Sequence, residues 1–334
     1  MIKGFWIAAL IGSWVSVLSP ALAADRLVIP ISQTLLHGRV TYSIPVTIGG
    51  ATVNALLDTG STGLRILASK IPGTGYDATT QQVDYGFVSG ELLSGVVATA
   101  SIRLGPATYP VNVPFELVQQ INCIKTMPDC HATAAKTQHS NLVGDNAFSA
   151  IIGTSMPSPT FFPRVLNPLP KIGDSWIVTV PLPGQKGPGQ LIVNPTAAEA
   201  AGFTLFPAGQ GENIGAGRDN PVPGCLINDA NGRKFCGPVI LDSGKPSVTV
   251  ITNDFSDARH WVFGTVATLS FDAPSGKKLS GQFTVSSFVP TNVSLGPFPA
   301  FGQPAPRELM GAETYLLFSV LYDDRNHTIG LRAR

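Results

Sequence analysis

The stretch 55-ALLDTGSTGLRIL-67 carries Asp58 at the end of an apolar, strand-like run and follows it with small residues. The same shape returns at 238-PVILDSGKPSVTV-250, where Asp242 ends a second apolar run. A single site of this kind is an ordinary exit from a strand into a turn, where aspartate is common. Two such sites indicate a repeated unit in which each copy contributes one carboxylate.

A second pair of segments repeats in the same order. The segment 149-SAIIGTS-155 follows the first aspartate motif, and 307-RELMGAE-313 follows the second, each with two apolar residues before a glycine. Two elements in the same order predict a duplicated lobe, and we assign residues 24–186 to the first copy and 187–334 to the second. The loop-like 183-PGQKGPGQ-190 is either a hairpin turn beside the lobe boundary or the boundary itself.

The composition favours a β-rich protein. Only 13% of the 334 residues are charged, whereas 35 are glycine and 28 are proline, which is typical of many strands separated by turns. The formal net charge is +1, without a run of Lys or Arg, and this argues against nucleic acid or an anionic membrane as the main partner.

Strand-like patterns dominate the chain, and two segments, 196–203 and 252–261, suggest short helices. The predicted strands are 40–50, 53–58, 94–105, 176–182, 190–194, 247–251 and 315–323.

The N-terminus has the pattern of an export signal. Lys3 supplies positive charge, residues 5–18 are nearly all apolar, and 21-ALA-23 is a small-residue cleavage pattern. A transmembrane anchor is the alternative, but the apolar core is short for a bilayer core of about 30 Å. We therefore predict that residues 1–23 are a signal peptide, and that the mature protein is secreted or periplasmic and not held in a membrane.

The chain has four cysteines, and an even number in an exported protein predicts two disulfides. Pairing of neighbours gives Cys123–Cys130 and Cys225–Cys236. Residues 229-DANG-232 fit a four-residue hairpin loop that would place the second pair opposite each other. A zinc site with Cys123, Cys130 and His131 is the alternative, with unusual ligand spacing.

Paired carboxylates have a specific chemistry. Two that face each other at short distance cannot both ionise at low cost, because like charges raise one pKa and leave the pair sharing a proton. The ionised member can activate a water molecule as general base while the protonated member polarises a substrate carbonyl. Such a site needs rigid strand ends, glycines that allow close approach and hydroxyls that orient the oxygens. The segments 58-DTGS-61 and 242-DSG-244 supply most of these parts.

These segments resemble the pepsin-like aspartic proteases, and the likeness extends over both halves of the chain. The segment 309-LMGAETYLLFSVLYDDRNHTIGL-331 resembles the closing block of that family. The segment 83-VDYGFVSGELLSGVVATASIRLG-105 is similar to its flap hairpin and the strand that follows, and 150-AIIGT-154 to the Φ-Φ-Gly of its first lobe. The resemblance implies a mostly β, bilobal acid-protease fold with two related lobes and the active-site cleft between them.

The resemblance also implies roles for individual residues. Asp58 and Asp242 would be the catalytic pair that holds the attacking water, and Tyr85 and Gly86 would lie on a mobile flap over an extended peptide. Three kinds of support would surround the pair: hydrogen bonds between the lobes from Thr59 and Ser243, close backbone approach at Gly60 and Gly244, and a hydroxyl from Ser61.

Two residues depart from the family pattern. Lys245 stands where the second motif normally has Ser or Thr, and a lysine cannot accept a hydrogen bond. An ammonium directed at the pair would favour the ionised carboxylates, whereas an outward orientation, which we favour, removes only one supporting bond. Arg65 stands where a tryptophan that braces the flap tyrosine is common.

The sequence thus predicts a monomeric aspartic endopeptidase that hydrolyses peptide bonds in an extended polypeptide and needs neither metal nor cofactor. The alternative is a catalytically impaired pepsin-like scaffold that binds a peptide, a carbohydrate or another enzyme in the cleft. A glycosidase with two carboxylates ranks below both, because its carboxylates need not lie in repeated D-[TS]-G turns.

Overall fold

The structure of the protein is a computed structural model. The structure describes residues 25–36, 39–107, 110–130, 132, 142, 148–157, 164–209, 221–252, 261–296 and 307–334. The predicted signal peptide and most of the helix predicted at 252–261 lie outside these ranges. None of the helices in the described ranges has the length and apolarity needed to cross a membrane.

The described chain is mostly β, as the composition predicts, with 56% strand and 8% helix. Two short helices, Ala197–Ala200 (α1) and Ala312–Leu317 (α2), and three 3₁₀ turns accompany the strands in the described part of the chain. The strands are Leu27–Leu36 (β1), Arg39–Ile48 (β2), Ala51–Asp58 (β3), Thr62–Leu67 (β4), Tyr76–Gly86 (β5), Glu91–Leu104 (β6), Val111–Cys123 (β7), Ala150–Thr154 (β8), Ser175–Thr179 (β9), Gly189–Val193 (β10), Thr204–Pro207 (β11), Val222–Asn228 (β12), Lys234–Leu241 (β13), Val248–Ile251 (β14), Val266–Asp272 (β15), Lys278–Thr284 (β16), Val293–Gly296 (β17), Arg307–Met310 (β18), Phe318–Asp323 (β19) and Thr328–Ala333 (β20).

These strands form two sheets. The larger has thirteen strands in the order β11-β20-β19-β9-β10-β1-β2-β3-β8-β4-β7-β6-β5, and the smaller has seven in the order β16-β15-β12-β13-β18-β14-β17. Strand β2 also pairs with β6 in the larger sheet. The loop-like 183–190 connects β9 to β10, which pair as an antiparallel hairpin within one sheet.

The weak sequence repeat corresponds to a repeat of strand pairing. Strand β3 lies parallel to β8, β8 antiparallel to β4, and β4 parallel to β7. In the smaller sheet, β13 lies parallel to β18, β18 antiparallel to β14, and β14 parallel to β17. The two aspartate motifs therefore leave equivalent strands of two equivalently ordered units.

Local sequence explains the tight turns that set this register. Gly49 and Gly50 join β2 to β3, and both have positive φ (56° and 82°), which a two-residue hairpin turn of this kind requires.

Thr196 and Glu199 form a reciprocal capping box at the start of α1, within the predicted 196–203 helix.

The apolar core is continuous between the two sheets. Phe271 of β15 packs edge-on against Phe206 of β11 and Phe318 of β19, with ring centroids 5.9 Å apart in both pairs. Trp176 and Tyr322 stack in the same core cluster. Burial of such large aromatic surfaces is a main source of stability for the joined sheets.

The strand predicted at 315–323 is wrong in its first part. Tyr315 belongs to α2, and the strand begins at Phe318. The Ala312 amide at the start of α2 donates a hydrogen bond of 2.9 Å to the Lys245 carbonyl. This tertiary bond fixes the helical turn in a segment whose aromatic and apolar residues alone favour a strand.

Candidate active site

The aspartates of both motifs are held at strand ends by parallel neighbours. Asp58 is the last residue of β3 and lies opposite Gly153 of β8. Asp242 directly follows β13, whose last residue Leu241 lies opposite Met310 of β18. A strand paired on both sides limits backbone movement, so both carboxyl groups leave rigid supports.

The structure brings the two carboxyl groups together, each against the glycine of the opposite motif. A methyl group added to Gly60 would overlap the carboxyl carbon of Asp242. A methyl group added to Gly244 would lie 2.8 Å from Oδ1 of Asp58. These two glycines are therefore required by the close approach of the motifs, because any side chain would push the carboxyl groups apart.

Asp58 is 5% exposed and accepts two local hydrogen bonds. The Gly60 amide donates to its Oδ1 at 3.0 Å, and the Ser61 hydroxyl donates to its Oδ2 at 2.5 Å. Both oxygens of this carboxyl group are thus fixed by the D-T-G-S turn itself.

Asp242 is held differently, by backbone amides of its own turn and by a side-chain hydrogen bond with Asp58. Its Oδ1 accepts from the amides of Gly244 at 2.9 Å and Lys245 at 3.0 Å. No side-chain hydroxyl of the described residues takes the place that Ser61 has at the first motif. The lysine therefore keeps its backbone contribution to the turn and removes only the hydroxyl bond.

Two hydroxyl side chains join the motifs beneath the carboxyl groups. The Thr59 amide donates to the Ser243 hydroxyl at 3.1 Å, and the Ser243 amide donates to the Thr59 hydroxyl at 2.9 Å. The Ser243 hydroxyl donates to the Leu57 carbonyl at 2.6 Å, and the Thr59 hydroxyl donates to the Leu241 carbonyl at 2.9 Å. Four buried bonds thus relate the two motifs by an approximate twofold arrangement.

A tyrosine pair that the sequence analysis did not assign to the site extends this network. The hydroxyls of Thr59 and Tyr315 lie 2.5 Å apart, and those of Tyr315 and Tyr322 lie 2.8 Å apart. The Tyr315 hydroxyl also lies 3.3 Å from the Leu241 carbonyl, to which the Thr59 hydroxyl donates, so either hydroxyl of each pair can be the donor. Both tyrosines lie in 309–331, the segment that resembles the closing block of the protease family. This position was the sequence feature that could have assigned them to the site.

The pKa of Asp242 is raised well above its ordinary value, first by burial and then by the neighbouring Asp58 carboxylate. The positive charge of Lys245 acts in the opposite direction but is a smaller effect than either. The net effect disfavours the ionised form of Asp242, and the charge of Lys245 does not cancel the effects of burial and of Asp58.

Lys245 is partly buried. The outward orientation predicted a side chain that is more exposed to solvent. Burial lowers its pKa, while the carboxyl groups of Asp242 and Glu313 raise it. Among the described carboxylates, none forms a direct ion pair with this ammonium.

Glu313 is a buried acid next to the second motif that the sequence analysis missed. It is 1% exposed, its Oε1 accepts from the Thr314 hydroxyl at 3.0 Å, and no described donor contacts its Oε2. Burial raises the pKa of Glu313 to about 8. A neutral carboxylic acid thus lies behind the motif at neutral pH, within electrostatic range of Lys245.

Tyr85 and Gly86 lie at the end of β5, next to the turn that leads into β6. The guanidinium of Arg65 lies over the Tyr85 ring, 3.5 Å from its centroid, so the arginine supports the tyrosine by a cation–π contact. Arg65 is itself buried and forms an ion pair of 3.2 Å with Glu116, which is fully buried. Burial raises the pKa of Glu116 to about 7, although Arg65 lowers it.

Both predicted disulfides are confirmed. Cys123 is bonded to Cys130 and Cys225 to Cys236, and the second pair lies in direct cross-strand register through the predicted 229–232 loop. The bonded thiols rule out the alternative zinc site, whose third ligand, His131, lies outside the described residues.

A family model described as a protein of unknown function (DUF3443) matches residues 31–161. The matched region contains the first aspartate motif, the β5–β6 hairpin and β8, but not Asp242. No curated protein sequence matches the chain.

Proposed function

We propose that this protein is an aspartic endopeptidase of the pepsin-like type, with its two repeated β units as two lobes and the paired aspartates in the cleft between them. One observation carries the proposal. Asp58 and Asp242 leave equivalent strands, meet across Gly60 and Gly244, and the pKa of Asp242 is raised by burial and by Asp58. A pair that shares one proton supplies a general base and a general acid at the same point.

The reaction follows from this shared proton. The ionised carboxylate removes a proton from a water molecule as the water oxygen bonds to the scissile carbonyl carbon, while the protonated carboxyl group donates to the carbonyl oxygen. The resulting gem-diol collapses when its C–N bond breaks: one gem-diol hydroxyl gives its proton to the ionised carboxylate as the new C=O forms, and the amide nitrogen takes the proton of the other carboxyl group. One water and one peptide bond give one carboxylic acid and one amine, and the pair returns to its singly protonated state.

The surrounding residues keep the pair in position during these proton transfers. Ser61 and the Gly60 amide fix the oxygens of Asp58, and the Thr59–Ser243 bonds hold the two turns at constant separation. Preorganised contacts of this kind lower the reorganisation that the transition state requires. Tyr85 and Gly86 are proposed to contact the bound polypeptide from the hairpin.

The disulfides support export, because such bonds persist in oxidising compartments. We therefore propose that the protein acts as a secreted or periplasmic monomer on extended polypeptide.

Cleavage of an unfolded protein substrate from about pH 3 to pH 7 tests the proposal, because the pair must hold one proton in the working range. Wild type is compared with Asp58→Asn and Asp242→Asn, with and without a statine-type inhibitor. We expect cleavage by wild type and loss of at least 100-fold in either variant. Cleavage that survives both substitutions contradicts the dyad.

The presence of Lys245 in the second motif supports a second candidate function, in which the same scaffold binds a ligand and does not cleave it. Its motif lacks the hydroxyl that Ser61 supplies to Asp58, so the pair is asymmetric. A well-folded wild type that binds the inhibitor but cleaves at no pH supports this candidate over the enzyme.

A further inference from the structure

Two hydroxyls meet at the Leu241 carbonyl, which directly precedes Asp242. The Thr59 hydroxyl donates to this oxygen at 2.9 Å, and the Tyr315 hydroxyl lies 3.3 Å from it and 2.5 Å from the Thr59 hydroxyl. The Tyr315 hydroxyl is therefore linked to the carbonyl directly or through Thr59. At the first motif, the equivalent Leu57 carbonyl accepts from one hydroxyl of the described residues, at 2.6 Å. Within the described chain, only the second motif has this additional hydroxyl.

The repeat locates the difference between the motifs in the sequence. Gly153 of β8 and Gly311, which directly follows β18, are the equivalent glycines of the two units. Tyr315 is the fourth residue after Gly311, and Pro157 is the fourth residue after Gly153. A proline side chain has no hydroxyl, so the residue at this position of the first unit cannot make the contact. The tyrosine is thus specific to the second unit.

Helix α2 holds the Asp242 turn at both of its ends. The Ala312 amide at the start of the helix donates to the Lys245 carbonyl at 2.9 Å, three residues after the aspartate. The Tyr315 side chain, from the same helix, contacts the Leu241 carbonyl one residue before the aspartate. Because these two contacts bracket the turn, the helix limits the movement of the carboxyl group that the turn carries.

Tyr315 is itself held in place by its surroundings. Its hydroxyl lies 2.8 Å from that of Tyr322, and both tyrosines are fully buried. Tyr322 stacks on Trp176, and the Arg334 guanidinium donates to the Tyr315 carbonyl at 2.8 Å. Burial raises the pKa of both hydroxyls, so both keep the proton that hydrogen bonding requires. A buried and fully bonded hydroxyl of this kind has a defined orientation.

We propose that Tyr315 is a positioning residue for the carboxyl group of Asp242, which it holds through the Leu241 carbonyl. This contact compensates for the hydroxyl that Lys245 does not supply. At the first motif, Ser61 bonds the carboxylate directly, whereas the second motif is supported from below, through its backbone. The inference rests on the proposed function for the reaction that the positioned carboxyl group performs.

Steady-state kinetics of Tyr315→Phe, Lys245→Ser and the double variant on an unfolded protein substrate test this inference. We expect Tyr315→Phe to lower kcat by about threefold to tenfold with KM within about twofold of wild type, because a bond that orients a reacting group is lost. In the Lys245→Ser background, we expect the same change to cost less than about twofold, because the serine hydroxyl can bond Asp242 directly.

Tyr42→Phe is the matched control for the loss of a buried phenol hydroxyl. Tyr42 is fully buried, and its hydroxyl has no hydrogen-bond partner among the described residues. We expect this variant to keep kcat within about twofold of wild type, because the hydroxyl that it removes orients no group of the site. Urea unfolding of each variant establishes that it is folded under the assay conditions.

Hydrogen exchange gives a readout that does not depend on cleavage. The Gly244 amide donates to Oδ1 of Asp242 at 2.9 Å, and the Gly60 amide makes the equivalent bond in the first motif at 3.0 Å. We expect Tyr315→Phe to speed exchange of the Gly244 amide by about fivefold or more, and that of the Gly60 amide by less than about twofold. The reason is that only the second turn loses a support.

The pattern of the two amides decides the inference. Equal acceleration at Gly244 and Gly60, or none at either, overturns it, because Tyr315 would then contribute to general packing alone. A loss of kcat that is the same with and without Lys245→Ser also overturns it. A folded wild type that cleaves no substrate, with faster exchange at Gly244 alone in Tyr315→Phe, contradicts the proposed hydrolysis but supports the positioning of Asp242.

Discussion

At the scale of single residues, Lys245 is the positively charged neighbour of the second carboxyl group. Its charge lowers the pKa of Asp242, against the larger effects of burial and Asp58. We expect Lys245→Met to raise that pKa further, so that the high-pH limb of the kcat/KM profile moves to higher pH. Lys245→Ser is expected to raise kcat/KM by up to about tenfold, because a hydroxyl bond contributes roughly 0.5–1.5 kcal/mol.

The pH profile of cleavage measures both changes. Lys277→Met, which removes the same charge from the exposed β15–β16 turn, is the matched control and is expected to keep the wild-type profile. A Lys245→Met profile identical to that of wild type would contradict the electrostatic coupling.

Glu313 makes stability depend on pH in a direction opposite to that of most carboxylates. The folded protein keeps a proton on Glu313 up to about pH 8, whereas the unfolded chain loses it near the ordinary value of 4.5. The free energy of unfolding therefore falls between these two pH values, by at most roughly 1.4 kcal/mol per unit from this group.

We expect Glu313→Gln to flatten this decline, because glutamine has the same shape and does not titrate. Urea unfolding at several pH values from about 5 to 8 measures the slope. Asp272→Asn, at an exposed acid, controls for the loss of one negative charge and is expected to keep the wild-type slope. An unchanged slope in Glu313→Gln would show that this acid is ionised throughout the range.

At the scale of elements, the β5–β6 hairpin depends on a buried ion pair. Removal of Arg65 alone leaves Glu116 buried and unpaired, which costs roughly 3–5 kcal/mol. The double variant Arg65→Met with Glu116→Gln removes both charges and is expected to recover most of that stability. It does not restore the cation–π contact with Tyr85.

Hydrogen exchange distinguishes the loss of the Arg65–Glu116 ion pair from the loss of the cation–π contact with Tyr85. We expect faster exchange of the Phe87 and Gly90 amides in the double variant than in wild type, at nearly equal global stability. Glu116→Gln alone, which keeps Arg65 under Tyr85, is the control and is expected to exchange more slowly at these amides than the double variant does. Equal exchange in all three proteins would mean that Arg65 does not order the hairpin.

What the sequence could predict at this scale depended on local rules. The strand ends before Asp58 and Asp242 and the 229–232 hairpin follow from alternation and turn residues, which act over a few positions. The helix at Tyr315 depends on a bond between Ala312 and Lys245, and no local pattern encodes such a contact. Glu116 did carry a signal, because an acid within the apolar run of β7 requires a partner, but the sequence could not identify Arg65 as that partner.

At the scale of the whole molecule, the Thr59–Ser243 network connects the two sheets. The Thr59 hydroxyl contacts Leu241, Ser243 and Tyr315, all of them buried. We expect Thr59→Val, which keeps the shape and removes the hydroxyl, to lower the free energy of unfolding by roughly 2–4 kcal/mol, because buried partners remain unpaired.

Thermal or urea unfolding measures this loss. The matched control is Thr47→Val, at a partly exposed threonine whose hydroxyl contacts Thr52, and we expect it to stay within about 0.5 kcal/mol of wild type. A loss in Thr59→Val no larger than in Thr47→Val would show that the sheets are joined by the apolar core alone.

The hydrogen bonds between Thr59 and Ser243 also determine when the proposed activity can arise. Thr59 and Ser243 are 184 residues apart along the chain, so their contact exists only after both repeated units have folded and docked. Until then each aspartate is an ordinary solvated carboxylate with no neighbour to share its proton. For the proposed activity, folding is therefore the step that assembles the site, because an unfolded chain lacks the paired carboxyl groups that the proposal requires.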